Sequence, residues 1–120
     1  FSIYMIGLVF KWAKKVGGLS AIEKMNRAKS DLLYKAIDES GGFYTGHAKP
    51  EARSLMNIPF RLPSEELEEL CAKEAKKAGI IGLKGHRSVG GMRASLYNAV
   101  TIESVDVLVN FLKDFQRKNG

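Results

Sequence analysis

With 120 residues and 45% hydrophobic content, the chain has the size of one ordinary domain and enough apolar mass to bury a core. A formal charge of +6 and a pI near 9.5 favour anionic partners, but the lysines and arginines are scattered rather than blocked, which weakens a nucleic-acid reading without excluding it. One cysteine rules out an internal disulfide and no Cys/His cluster has metal-ligand spacing, so a reducing, cytoplasmic setting without bound metal is expected.

The opening "FSIYMIGLVF" is strongly apolar, yet Ser2 and Gly7 interrupt it and Lys11, Lys14 and Lys15 follow. It is too short for a membrane span of about 20 residues. It also lacks the basic leader and small-residue cleavage site of a signal peptide. A start at Phe1 rather than Met suggests a processed product or a piece of something longer. Residues 1–16 read as a helix with Ile3, Met5, Ile6, Leu8, Val9, Phe10 and Trp12 spread over most of its surface, and such a helix expects neighbours all round. Gly17 and Gly18 break it. Ser20 is placed to cap a second helix running to about Ser40, with Ile22, Met25, Leu32, Leu33, Ala36 and Ile37 on the buried side. Gly41 and Gly42 end that helix, and "GFYTGHAKPEARS" reads as a loop with at most a short strand at Phe43 and Tyr44.

"MNIPFRL", residues 56–62, alternates Met56, Ile58, Phe60 and Leu62 against Asn57, Pro59 and Arg61, the period of a strand with one wet face. Pro59 has no N–H to give a ladder, so this strand is expected at an edge or with a bulge. Ser64 caps the next helix, with Glu65, Glu66, Glu68 and Glu69 near its positive end, Lys76 and Lys77 near its negative end and Gly79 as the stop. Its buried stripe is read as Leu67, Leu70, Cys71, Ala75 and Ala78. "IIGLKGH" from Ile80 and "MRASLYNAV" from Met92 read as two more strands, and Thr101 caps a final helix burying Val105, Leu108, Phe111, Leu112 and Phe115. The pattern predicts an α+β domain in which helices cover one face of a small, mainly antiparallel sheet, preceded by two N-terminal helices.

Within "LKGHRSVGGMRAS", residues 83–95, alternation puts Met92, Ala94 and Leu96 on one face and Arg93, Ser95 and Tyr97 on the other. Gly90 and Gly91 permit positive φ, so the chain can turn sharply and bring His86, Arg87 and Arg93 together, with bare backbone N–H groups nearby. Such a group suits a small dianion or trianion, because an arginine fork matches carboxylate or phosphate with two parallel, charge-assisted hydrogen bonds. The plainer reading is an ordinary hairpin turn with three solvated basic side chains. His47 reads as a solvated loop histidine, Cys71 as a small buried hydrophobe, and Phe10 and Trp12 as packing groups.

The letters "LKGHRSVGGMRASLYNA" closely resemble the C-terminal segment of the phosphoserine aminotransferases. The likeness extends along all 120 residues through "FSIYM", "GLVFKW", "GGLSAIEKMN", "LLY" and "MNIPF". The resemblance implies a homodimeric, fold-type I, pyridoxal-phosphate enzyme of class V that passes an amino group between glutamate and 3-phosphohydroxypyruvate, giving O-phosphoserine for serine biosynthesis. It further implies that His86 and Arg87 bind the substrate phosphate and Arg93 the α-carboxylate. The Schiff-base lysine and the groups holding pyridoxal 5'-phosphate would belong to a larger domain preceding residue 1. Residues 1–18 would then connect to that domain and 19–120 would form the small C-terminal domain, with no catalytic or cofactor-binding residue of its own. Lys84 sits beside the motif but reads as solvated or structural, since transamination also needs an acidic pyridinium partner and a stacking aromatic. A basic nucleic-acid-binding domain, with only Tyr97 as a stacking group, and a stand-alone phospho-metabolite-binding module are the alternatives.

Overall fold

The computed structural model describes residues 1–86 and 88–120. Among them the order is α1 (Ser2–Lys15), α2 (Gly18–Asp38), β1 (Thr45–Gly46), a short 3-10 turn (Pro50–Ala52), β2 (Asn57–Arg61), α3 (Glu65–Lys77), β3 (Met92–Ser95) and α4 (Ile102–Asn119). The α+β expectation holds, with a three-stranded antiparallel sheet in the order β1-β2-β3. Ile58 and Phe60 of β2 and Met92 and Ala94 of β3 form its covered face. They join Leu33 and Ile37 of α2, Cys71 and Ala75 of α3, and Leu108, Leu112 and Phe115 of α4 in one core. Burying each large side chain of this set is worth about 1.5–3 kcal/mol. Asn57, Pro59, Arg61, Arg93 and Ser95 line the opposite, half-open face.

The apolar N-terminal helix forms as read, but none of its residues is buried; Phe1 is 97% exposed, Ile3 88% and Phe10 64%. It packs against α2 alone among the elements with substantial contact, so most of its apolar surface faces outward. Its successor begins earlier than Ser20 suggested: Gly17 takes the N-cap position without a side-chain cap, and Ser20 lies inside the first turn. The inward face is also rotated from the expected one. Met25 is exposed, whereas Asn26, Lys29 and Ser30 are buried. The Lys29 Nζ donates to the carbonyls of Leu96 (3.3 Å), Tyr97 (2.9 Å) and Val100 (2.9 Å), and the Asn26 amide donates to Asn98 Oδ1 at 2.8 Å. Polar contacts to a loop some 70 residues away leave no trace in a hydrophobic period.

Two strand expectations need correction. The short strand falls on Thr45–Gly46 rather than Phe43 and Tyr44. Tyr44 instead turns inward, packs edge-on against Phe43 and Phe60, and donates its hydroxyl to the Leu112 carbonyl at 2.8 Å. The stretch from Ile80 is not a strand but touches β3 through a single bridge, Lys84 with Met92, because Gly82 at φ +78° breaks the extended path.

β2 is the central strand, which corrects the edge expectation raised by Pro59. The register explains how proline is accommodated. The Leu96 N–H donates to Met56 O, so residues 56, 58 and 60 turn their backbone groups toward β3, while 57, 59 and 61 turn theirs away. On that other side β1 pairs only with Arg61 and Phe60. Pro59 therefore sits where the ladder has already ended, directly opposite Arg93 in a pair that needs no N–H.

α3 and α4 follow their caps. Leu67 N–H donates to Ser64 Oγ and Ser104 N–H to Thr101 Oγ1, each at 3.3 Å. In α3, however, Leu70 and Ala78 are exposed and Glu68 is buried, for a reason that belongs to the site below.

Candidate functional site

The segment from Leu83 folds back on β3 through two backbone hydrogen bonds, Arg93 N–H to Leu83 O (2.7 Å) and Gly85 N–H to Gly91 O (2.8 Å). Between them the chain reverses. Val89 and Gly90 N–H groups both donate to His86 O, at 3.0 and 2.8 Å, and Gly90 and Gly91 take φ of +72° and +70°. Two consecutive left-handed residues are tolerated only because neither carries a Cβ. Gly85 is needed for a different reason: a Cβ there would lie 2.2 Å from Gly90 O and 2.7 Å from Gly91 O.

His86 is exposed at this turn. Its Nδ1 accepts the Ser88 N–H at 3.3 Å and lies 2.7 Å from Ser88 Oγ. With Nδ1 used as an acceptor, the neutral ring carries its proton on Nε2, a donor with no partner among the described residues. A cavity of about 580 Å³ opens beside it, lined also by Lys73, Lys84, Glu65 and Glu69. Arg87 lies outside the described residues.

Arg93 stands on the half-open face of the sheet, as alternation required. Its environment sets it apart. Arg27, Arg53, Arg61 and Arg117 each pair with a carboxylate, whereas among the described residues Arg93 has no ion pair; its Nε, like that of Arg53, is shielded from solvent without a hydrogen-bond partner. It lines a second cavity of about 420 Å³ with Ile81, Leu83, Ser95 and Ser104. The structure thus places His86 and Arg93 on two arms of one folded-back segment, opening into different cavities rather than one.

The other singled-out residues behave plainly. His47 is exposed, and Cys71 is fully buried with burial pushing its thiol up to about 12. Among the described residues no group of three or more potential ligands could hold a metal, and no helix is long and apolar enough to cross a membrane. Nor do these residues fit pyridoxal phosphate. Lys84 is exposed, and the cavity it lines holds three glutamates and no Phe, Tyr or Trp on which a pyridine ring could stack.

Sequence reasoning missed the partly buried ion pair beside the turn. Arg61 Nε donates to Glu68 Oε1 at 2.6 Å, and the same oxygen accepts the Leu62 N–H at 3.3 Å. Four glutamates at the start of α3 read as favoured by its positive end, and nothing in their spacing marks the one that turns inward.

Comparison with known proteins gives this arrangement a lineage. The class-V aminotransferase profile matches residues 1–108, and the chain belongs to that family. Within it, the chain is 57% identical over 119 residues to the phosphoserine aminotransferase of Lysinibacillus sphaericus, covering 99% of this chain and 33% of that protein. It superposes with a TM-score of 0.97 and 53% identity on the phosphoserine aminotransferase structure from Bacillus circulans subsp. alkalophilus, covering all of this chain and 33% of that one. A pyridoxal-phosphate-bound phosphoserine aminotransferase from Trichomonas vaginalis matches 94% of the chain with a TM-score of 0.87 and 39% identity. The chain spans about a third of the length of the relatives it matches. A nucleic-acid-binding role is not favoured by this kinship.

Proposed function

We propose that the chain is the C-terminal part of a phosphoserine aminotransferase, the parent enzyme, which transfers an amino group between glutamate and 3-phosphohydroxypyruvate. The chain's contribution is to bind a substrate charged at both ends, with Arg93 on the α-carboxylate and His86 with Arg87 on the phosphate. The observation that carries this reading is Arg93 itself: every other described arginine is neutralised by a carboxylate, while this one is partly withdrawn from water with no counter-ion. A guanidinium in that state favours an incoming carboxylate, to which it can give two charge-assisted hydrogen bonds.

Pyridoxal phosphate is held in the parent enzyme by residues outside these 120, and when bound it supplies the electron sink for the amino transfer. The residues here orient the substrate against it. Residues 1–18 form the connection to the remainder of that polypeptide and 19–120 the small domain. The outward apolar surface of α1 supports that division, since a soluble chain rarely leaves so much contiguous apolar surface uncovered. The enzyme is read as a cytoplasmic homodimer.

The test is kinetic. Arg93→Ala in the parent enzyme should weaken binding of both O-phosphoserine and glutamate, which share the α-carboxylate. Arg87→Ala should weaken the phosphorylated substrate more. Equal losses for both substrates in the Arg87 variant count against the assignment.

A further inference from the structure

Arg61 ends β2 on the half-open face of the sheet, and the distal part of its side chain has neighbours on two sides. On one side its Nε is held at 2.6 Å by the carboxylate of Glu68, itself buried in the first turn of α3 and further secured by the Leu62 N–H. On the other side its stem and guanidinium lie along the glycine pair. A Cβ on Gly91 would meet Arg61 Cδ at 2.6 Å and Nε at 3.2 Å, a Cβ on Gly90 would meet Nη1 at 3.6 Å, and Nη1 reaches within 3.5 Å of Val89 O. The arginine occupies the space that the glycines leave empty. Its charge is already met by Glu68, and it does not line the cavity beside His86.

From this geometry we infer that Arg61, locked by Glu68, is a positioning residue: it is the surface against which the turn carrying His86 is held, and it acts on the phosphorylated substrate through that turn. The inference rests on the reading that this turn meets the substrate phosphate. A turn built on two left-handed glycines has many accessible conformations unless something packs against it, and here the packing partner is a side chain anchored from a different element.

Two readouts separate the inference from the reading beneath it. In the parent enzyme, Arg61→Met should speed hydrogen exchange of the Val89 and Gly90 amides about tenfold relative to β2 and α4. It should also raise KM for O-phosphoserine about tenfold while kcat and KM for glutamate stay within about twofold. Unchanged exchange at the turn overturns the positioning role, and so does an increase spread evenly over the core. Faster local exchange with an equal effect on both substrates upholds the positioning role and overturns the phosphate assignment. Should Arg61→Met fail to fold, Glu68→Gln keeps an acceptor oxygen and removes only the charge. A local exchange increase of about threefold in that variant upholds the link, and none overturns it.

Discussion

Gly85→Ala tests the tightest space around any glycine of the chain. The added Cβ would stand 2.2 Å from Gly90 O and 2.7 Å from Gly91 O. Ordinary carbon–oxygen contacts lie at about 3.3 Å or more, so the two arms must part by about 1 Å. Both obstructing atoms are main chain, and no rotamer change relieves them. Parting stretches the Gly85 N–H to Gly91 O bond, now 2.8 Å, and strains the neighbouring Arg93 N–H to Leu83 O bond, now 2.7 Å. Losing both costs about 1–3 kcal/mol, and loosened packing of Leu83 and Met92 adds to this. The smaller unfolded-state entropy of alanine offsets about 0.4–1 kcal/mol. The net expectation is a destabilisation of about 2 kcal/mol, seen as a urea midpoint lowered by about 1 M in far-UV circular dichroism. Gly7→Ala serves as the control. Apart from its chain neighbours and its own helix backbone, nothing lies within 4 Å of its added Cβ, and mid-helix alanine is worth up to about 1 kcal/mol over glycine, so that variant should be neutral or slightly stabilised. A Gly85→Ala protein within 0.5 kcal/mol of the parent sequence, about the scatter of a silent surface change, would refute the close approach.

Other outcomes follow from the same contacts. Lys29→Met leaves the carbonyls of Leu96, Tyr97 and Val100 without their donor while releasing a desolvated charge, for a net loss of about 2–4 kcal/mol in urea unfolding; a neutral or stabilised variant would show that the ammonium is not the tie. Burial lowers the Lys29 pKa below 10.5, so the unfolded chain binds more protons between that lowered value and 10.5. Lys29 therefore contributes a rise in stability with pH across that window, absent from the Met variant, and parallel pH profiles for the two proteins would contradict this. Cys71 should be modified by a thiol reagent at pH 8 only as fast as the fold opens, because the buried thiol stays protonated until about pH 12; fast labelling of the native protein would place it nearer the surface. Ser64→Ala should cost about 1 kcal/mol by removing the acceptor for the Leu67 N–H, measured by the same unfolding assay, and no change would mean the cap is redundant.

The parts of this fold that were legible are those governed by short-range rules. Ser64 and Thr101 announce α3 and α4 because a cap acts within three residues, and the alternation around Ile58 and Phe60 locates β2 because each side chain must choose a face. The glycine pair and the outward placement of Arg93 were readable on the same grounds. Pro59 misled because a missing donor points to an open edge or a bulge. The structure shows it needs only the side of a central strand from which its neighbour has already departed. The unread features are polar and long-range: Lys29 reaching the loop after β3, Glu68 turning in to meet Arg61, and Gly85 facing two carbonyls. Each depends on where another element arrives, which neither propensity nor period encodes.

The three carbonyls around Lys29 carry one more implication. Dissolved ions weaken contacts such as Arg27–Glu23, where both partners meet solvent, but screen a buried side chain such as Lys29 much less. The far end of the Arg93 strand is thus fastened by an ion–dipole contact that changing ionic strength should barely loosen. Because that fastening uses neutral oxygens in place of an acid, it introduces no resident negative charge to rival an arriving carboxylate at Arg93.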